Sequence, residues 1–231
     1  MLISIGKGEA QMAGRQLANK WLKTEALLSD ARIQGHIPQT RMFSAPQLKK
    51  MLHRYGMVVI KPVRGGGGYG VIKVTYRRGR YSFTNLAQER SFSNFSAMFG
   101  ALSRVMVKRP YLIQQGIHLA RIAGRPVDYR VKVAKTERGW EYRAMVGRLA
   151  RPGLFVTNLC KGGTQLSAKE ALVRSVPASS VKSQKKRMQS LTQNCISILE
   201  RRFPGIGELG FDYGIDREGR IWIFEVNTRP Q

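Results

Sequence analysis

Between Ile60 and Val74 the chain reads IKPVRGGGGYGVIKV: four consecutive glycines, a fifth at Gly70, and a lysine on either side at Lys61 and Lys73. Val58-Val59-Ile60 and Val71-Ile72-Lys73-Val74 have the β-branched composition of short strands, so the glycines form the tip of a hairpin-like loop. An ordinary hairpin turn needs positive φ at one or two positions. Each further glycine adds backbone entropy that folding must remove. Two readings of the excess stand side by side: a slack hairpin, or a flexible flap whose bare N–H groups close over phosphate oxygens.

The 231 residues are 42% hydrophobic, enough for one substantial core or two small coupled subdomains. Lysine and arginine number 40 against 14 acids, a formal charge of +26 and a pI near 11.0. Such a surface attracts nucleic acid, anionic lipid, acidic polymer or nucleotide phosphate alike, and charge alone does not choose among them. The chain carries no helix-turn-helix, zinc-finger or RNA-binding signature, which leaves a basic nucleic-acid-binding protein as the least favoured reading. Cys160 and Cys195 show no CxxC spacing, as expected of a reduced compartment, and His36, His53 and His118 are too scattered for a zinc site. No apolar run approaches the ~20 residues of a membrane span and no signal-peptide core opens the chain. A soluble, cytoplasmic protein is expected.

Ahead of the glycine loop, residues 1–45 mix short helical patterns with a turn at QGHIPQT. The run APQLKKMLHRY sets Leu48, Met51, Leu52 and Tyr55 on one helical face. Beyond the loop comes the basic turn YRRGRYSF, then Phe95, Met98, Phe99 and Leu102 at helical spacing. The strand YLIQQGI follows. VDYRVKVAKTERGWEYRAMVGRLA then alternates as two antiparallel strands around Glu137-Arg138-Gly139. RPGLFVTNLCKGGTQ reads as a polar loop. Val181 to Phe203 is the longest helix in prospect, stopped by Pro204-Gly205. Its opening, VKSQKKR, puts cations where a helix dipole favours acids, so the helix is expected to begin nearer Lys185. GELGFDYGIDREGRIWIFEVNTRPQ closes the chain as two strands around Asp216-Arg217-Glu218-Gly219.

Acids are scarce, so the place where they gather matters. Glu225 and Asn227 are two apart on a strand and share a face, while Val226 points into a core. If the closing strands pair, Asp212 joins them. Two carboxylates and a carboxamide suit a hard cation such as Mg²⁺, which binds through one or two carboxylates plus substrate phosphates. The alternative is structural: Glu225 paired with one of many arginines, and Asp212 capping a turn.

In this order, the stretches HIPQTRMF, VVIKPVRGGGGYGVIKV, YLIQQGIHLA with GRPVDYRVKV, TNLCKGG and GELGFDYGIDREGRIWIFEVNTRP resemble the ATP-grasp superfamily, and most closely its YheC/YheD group of endospore-coat-associated proteins. The resemblance runs from about Asn19 to the end. It implies an α+β ATP-grasp fold in which two subdomains with antiparallel sheets grip ATP: residues 1–45 as a reduced amino-terminal segment, 46–110 as the first subdomain and 111–231 as the second. It also implies roles. Lys61 reaches the α-phosphate, with Lys20 (or Lys23 in its stead) as a second nucleotide lysine, and Gly65, Gly66, Gly67, Gly68, Tyr69 and Gly70 form the loop over the phosphates. At the hinge, Gln114, Gln115, Gly116 and Ile117 meet the adenine edge, through the Gln114 side-chain amide and the backbone of Gln115 and Ile117. Asp128 grips the ribose hydroxyls. Arg130 steadies a transferring phosphoryl group or the acceptor carboxylate, a task suited to its bidentate fork. Arg148, Asn158 and Lys161 lie near the γ-phosphate, and Asp212, Glu225 and Asn227 hold Mg²⁺ or Mn²⁺.

The implied chemistry is ATP-dependent joining of a carboxylate-bearing acceptor to an amine donor through an acyl phosphate. No side-chain nucleophile is needed, in keeping with the lack of any Ser–His–Asp or Cys–His arrangement. A nucleotide-binding spore-coat assembly protein without turnover is the alternative. An acidic polymer or a spore-coat protein would account for the charge as a partner, with spore-coat association the implied location. Two departures from ligases of this superfamily bear on the acceptor. About 45 residues precede the first core helix, short of a typical domain, and the chain ends directly after the metal motif, so the acceptor half is expected to be reduced or lent by a partner.

Overall fold

The computed structural model describes residues 14–230. Two antiparallel sheets, each with its own apolar core, face one another across a cleft. The first has the order β1-β6-β2-β3-β4-β5 and the second β10-β9-β8-β11-β12, with the short β7 pairing β8 off that path.

In the first sheet, β2 (Met57–Pro62) and β3 (Ile72–Arg77) pair antiparallel from Met57↔Thr75 to Ile60↔Ile72, so the glycine stretch is a hairpin loop. β4 (Arg80–Asn85) and β5 (Gln88–Phe92) extend the sheet on one side. β6 (Tyr111–Gln115) and β1 (Thr40–Met42) extend it on the other. Period-two alternation divides its residues: Val58, Ile60, Ile72, Val74 and Ile113 enter the core, and Val59, Lys61, Val71, Lys73 and Gln114 line the cleft. α3 (Ala45–Tyr55) and α4 (Phe95–Val105) cover the core face. Leu48, Met51 and Leu52 of α3 are buried, the face that the sequence spacing marks. Ser44 caps that helix, and Gly56 ends it at φ 68°. The first residue of the segment expected to form the second subdomain opens β6, a strand of the first sheet, and β1 joins that sheet from the segment expected to precede it.

The second sheet centres on β8 (Arg125–Thr136), flanked by β9 (Gly139–Leu149) and β11 (Glu208–Ile215); β12 (Ile221–Asn227) and β10 (Thr164–Ser167) close its edges. β7 is Arg121–Ile122. Tyr129, Val131, Phe211, Tyr213 and Val226 point into a core roofed by α5 (Ala168–Ser175) and α6 (Val181–Arg202). α6 begins at Val181 rather than near Lys185. Val181 packs on the core and the buried Gln184 donates to the Gly219 carbonyl at 2.7 Å, so tertiary contacts offset the unfavourable cations of the first turn. Several elements went unread in the sequence: the short strands β1, β7 and β10, the last beginning inside the stretch read as a polar loop, the exposed edge strand β5, and α5, capped by Ser167. No helix among the described residues is long and apolar enough to cross a membrane.

α1 (Lys20–Leu28) fastens the two halves together. Asn19 caps it, the Lys20 N–H donates to the Val63 carbonyl at 3.0 Å, and the helix lies against α6 and β12. α2 is the single turn Ala31–Gln34.

Candidate functional site

Register builds the site. Asp128 lies opposite Arg148 across β8 and β9, and Arg130 lies opposite Asp212 across β8 and β11. Asp212 in turn lies opposite Glu225 across β11 and β12. Because 128 and 130, and 225 and 227, are each two apart, all these side chains stand on the cleft face. Asn227 lies opposite Gly210, where an added Cβ would come within 2.5 Å of the Pro230 ring, so only glycine fits beneath the terminal turn.

Arg148 is buried and grips Asp128 with two bonds, Nε to Oδ1 at 2.8 Å and Nη2 to Oδ2 at 2.6 Å. Its Nη2 also reaches Asp212 Oδ1 at 3.1 Å, and Thr157 donates to Asp128 Oδ2 at 2.6 Å. Arg130 donates to Asp212 through Nε and, at 3.1 Å, through Nη2. Burial by itself would raise the Asp212 carboxyl, but Arg148 and Arg130 outweigh it and hold the group below its ordinary value. Burial likewise opposes the charge on Arg148, and the two carboxylates prevail there too.

From the facing sheet, Lys61 extends its buried ammonium to Gln114 Oε1 at 3.0 Å and across the cleft to the Phe224 carbonyl at 2.8 Å. Burial lowers its proton affinity, with Lys20 adding to the effect and Glu225 and Asp212 opposing it. Lys20 pairs with Glu225 Oε1 at 2.8 Å and also donates to the Gly65 carbonyl. Lys23 is buried beside it and donates to the Leu17 carbonyl; burial brings its pKa down to about 8.

The glycine loop meets the second sheet directly. Gly65, Gly67, Gly68 and Gly70 all adopt positive φ, whereas Gly66 does not and has open space around it. The Cys160 thiol donates to the Gly67 carbonyl at 3.2 Å, and the Lys161 ammonium sits 3.4 Å from the centre of the Tyr69 ring. Asn158 Oδ1 lies 2.6 Å from where a Cβ on Gly68 would be.

Three connected spaces result. An apolar slot of about 220 Å³ runs between Met57, Val59, Val71, Ile117, Leu119 and Phe224. A smaller polar space of about 130 Å³ lies under the glycine loop, walled by Lys20, Lys61, Asp128, Arg130, Arg148 and the Asp212–Glu225–Asn227 strip. A third, of about 540 Å³, opens beyond Arg130 toward Lys23 and Arg229.

The structure thus gathers Lys20, Lys61, Asp128, Arg130, Arg148, Asn158, Asp212, Glu225 and Asn227 around one polar space. Lys161 stands instead on Tyr69. Two hinge groups are already engaged: the Gln114 amide bonds Lys61 and Thr40, and the Gln115 N–H donates to the Gln39 carbonyl at 2.8 Å. Gly116, also in the hinge, packs against Met57, to whose carbonyl its N–H donates at 2.9 Å. Thr40, Thr157 and Phe224 were missed in the sequence, since nothing in their local pattern marks them.

No group of three His, Cys, Asp or Glu able to hold a metal occurs among the described residues, so a cation here depends on the Asn227 carboxamide. Two facing carboxylates and a carboxamide fit a hard, oxygen-seeking cation. Their oxygens already attract three cationic side chains, Lys20, Arg130 and Arg148.

Comparison with known proteins agrees with this layout. A family model for YheC/D like ATP-grasp matches residues 9–231. The endospore coat-associated protein YheD of Bacillus subtilis (strain 168) is 30% identical over 220 residues, 92% of this chain and 48% of the relative. YheC of the same organism is 27% identical over 231 residues, 96% of this chain and 62% of the relative. The chain thus spans less than two thirds of either. Among solved structures, carboxyaminoimidazole ribonucleotide synthase from Aspergillus clavatus complexed with ATP superposes with a TM-score of 0.58 at 15% identity, over 94% of this chain and 46% of that one. D-alanyl-alanine synthetase A from Vibrio cholerae gives 0.55 at 13%, over 92% and 55%. At such identities the likeness is one of fold. With two antiparallel sheets facing across a loop-covered cleft, and with the family match over nearly its whole length, the chain belongs to the YheC/D-like ATP-grasp family.

Proposed function

We propose that this chain uses ATP to activate a carboxylate and join it to an amine. The observation that carries this reading is the continuity of the apolar slot with the polar space, where Lys61 and the Asp212–Glu225–Asn227 strip converge beneath the glycine loop. The slot takes the adenine, with Ile117 offering backbone at the hinge, and Asp128 stands where the ribose would lie. Lys61 and Lys20 bind the phosphates. Mg²⁺, or Mn²⁺ in its place, held by Asp212, Glu225 and Asn227, would neutralise phosphate charge.

Arg130, held on its β-strand by Asp212, orients the acceptor carboxylate toward the γ-phosphorus. One carboxylate oxygen forms the new O–P bond as the bond to the β,γ-bridging oxygen breaks, and ADP leaves. The glycine loop and Lys61 stabilise the charge of the transferring group and exclude water. An amine then attacks the acyl carbon, phosphate departs, and the amine proton passes to solvent. The spore-coat relatives point to a role at the spore coat, with an acidic polymer or coat protein as a possible partner for the basic surface.

A second reading, nucleotide binding without turnover, is favoured by one observation: Lys20, Arg130 and Arg148 already neutralise Asp212 and Glu225. Incubation with Mg-ATP and a panel of amino acids and peptides separates the two. Acceptor-dependent phosphate release that disappears in Glu225→Gln supports the ligase. Tight ATP binding with no release for any acceptor supports the second reading.

A further inference from the structure

The third space, about 540 Å³ against about 130 Å³ for the polar space beside it, is larger than a single reacting carboxylate needs. Its charged wall residues are Lys20, Lys23, Arg130 and Arg229, four cations with no acid. Two are committed, Lys20 to Glu225 and Arg130 to Asp212. Lys23 and Arg229 have no acidic partner within ion-pair distance among the described residues. Lys23 is only 3% exposed, and Glu225, whose ion pair is made with Lys20, offsets only part of the cost of burying its ammonium, a cost that a methionine would not carry. Retaining it makes physical sense if an anion arrives to pair with it. Arg229 is exposed on the turn after β12 and presents a planar fork that matches a carboxylate.

We propose that this space holds an acceptor with at least two carboxylates, an acidic amino acid or a short acidic peptide: one carboxylate at Arg130 for activation, a second between Lys23 and Arg229. The proposal rests on the ligase reading for the fate of the first carboxylate, but not for binding of the second. Arg130 and the Gly65–Gly67 backbone belong to both this space and the one under the loop, so a ligand here abuts the phosphate end of the cleft. Thr228, also on this wall, accepts from the Leu17 N–H at 2.8 Å, and the Leu17 carbonyl accepts from Lys23, which fixes the wall beside that ammonium.

The test is calorimetric titration of the full chain, loaded with Mg²⁺ and a non-hydrolysable ATP analogue, with the dipeptide Glu-Glu and its neutral counterpart Gln-Gln. Glu-Glu is expected to bind at least tenfold more tightly. Lys23→Met and Arg229→Ala should each remove most of that preference, and Arg229→Ala should leave ADP affinity within twofold. Equal affinity for the two dipeptides, or a preference that survives both substitutions, overturns the proposal. Phosphate release, measured in parallel, judges the ligase reading separately. Selective binding of Glu-Glu without release would retain the anion site and sink the ligase, whereas release with neutral acceptors alone would do the reverse.

Discussion

Replacing Arg148 with methionine tests the arrangement at its most buried point. The guanidinium makes three contacts, at 2.6, 2.8 and 3.1 Å, to two carboxylates. Removing one member of a buried pair costs about 3–5 kcal/mol, because the remaining charge is stranded. Asp212 keeps Arg130 and Asp128 keeps Thr157, so the lower end applies, about 3 kcal/mol. At about 2–4 °C per kcal/mol for a chain of this size, Tm should fall by about 6–12 °C. The sign of the pH dependence follows from Asp212. Its folded pKa is depressed below the ordinary 3.8, so its stabilisation is present above that value and is lost as pH falls through the folded one. The variant has less of this to lose, so the gap between wild type and Arg148→Met should begin to narrow as pH falls below about 4. Adding Asp128→Asn removes the stranded charge and should recover at least about 1 kcal/mol relative to the sum of the single changes. Thermal and urea unfolding followed by circular dichroism at pH 3.5 and 7 provide the measurement. A Tm loss below 2 °C, or strict additivity in the double variant, would refute the reasoning.

Lys61→Met should weaken ADP binding by a factor of at least about 10, or 1.4 kcal/mol, with little loss of stability, since an apolar chain suits that buried position; calorimetry giving an affinity within threefold of wild type counts against its phosphate role. Gly66→Ala should be nearly neutral in Tm, whereas Gly68→Ala, at φ 70° and against Asn158, should cost about 1–2 kcal/mol; equal effects on thermal unfolding would mean that the loop is not held as described. Lys23→Met should raise stability at pH 7 by about 1–2 kcal/mol after loss of the bond to Leu17. Because the folded pKa of Lys23, about 8, lies below its ordinary 10.5, the wild type carries the full penalty below pH 8 and sheds it as pH rises toward 10.5. An advantage that does not shrink across that window would show that Lys23 is not the source.

Strand alternation made the two hairpins readable, because a sheet with one buried face requires it: Val58 and Ile60, or Val226 between Glu225 and Asn227, mark inside from outside without any knowledge of partners. The same rule brought Asp128 with Arg130 to one face. What local pattern could not supply was the cross-strand register. Arg130 and Asp212 are 82 residues apart, and nothing near either records which residue it will face. The start of α6 was misjudged because a local charge effect of a few tenths of a kcal/mol was weighed without the packing of Val181 and Gln184. α5 did leave a trace, Ser167 followed three residues on by Glu170, a capping pattern whose Ser167–Glu170 N–H bond is present at 3.1 Å. The glycines serve conformation, since four of those between Gly65 and Gly70 have φ that other residues rarely adopt.

The contacts from Cys160 and Lys161 tie the glycine loop to the segment between β9 and β10. A thiol–carbonyl bond and an exposed cation–π contact together hold only about 1–2 kcal/mol, so these two links, taken apart from the Lys20 bond to the Gly65 carbonyl, are open roughly 3–15% of the time at equilibrium. Links this weak can be strengthened or removed at two side chains, Cys160 and Lys161, that stand outside the ion-paired cluster of the cleft.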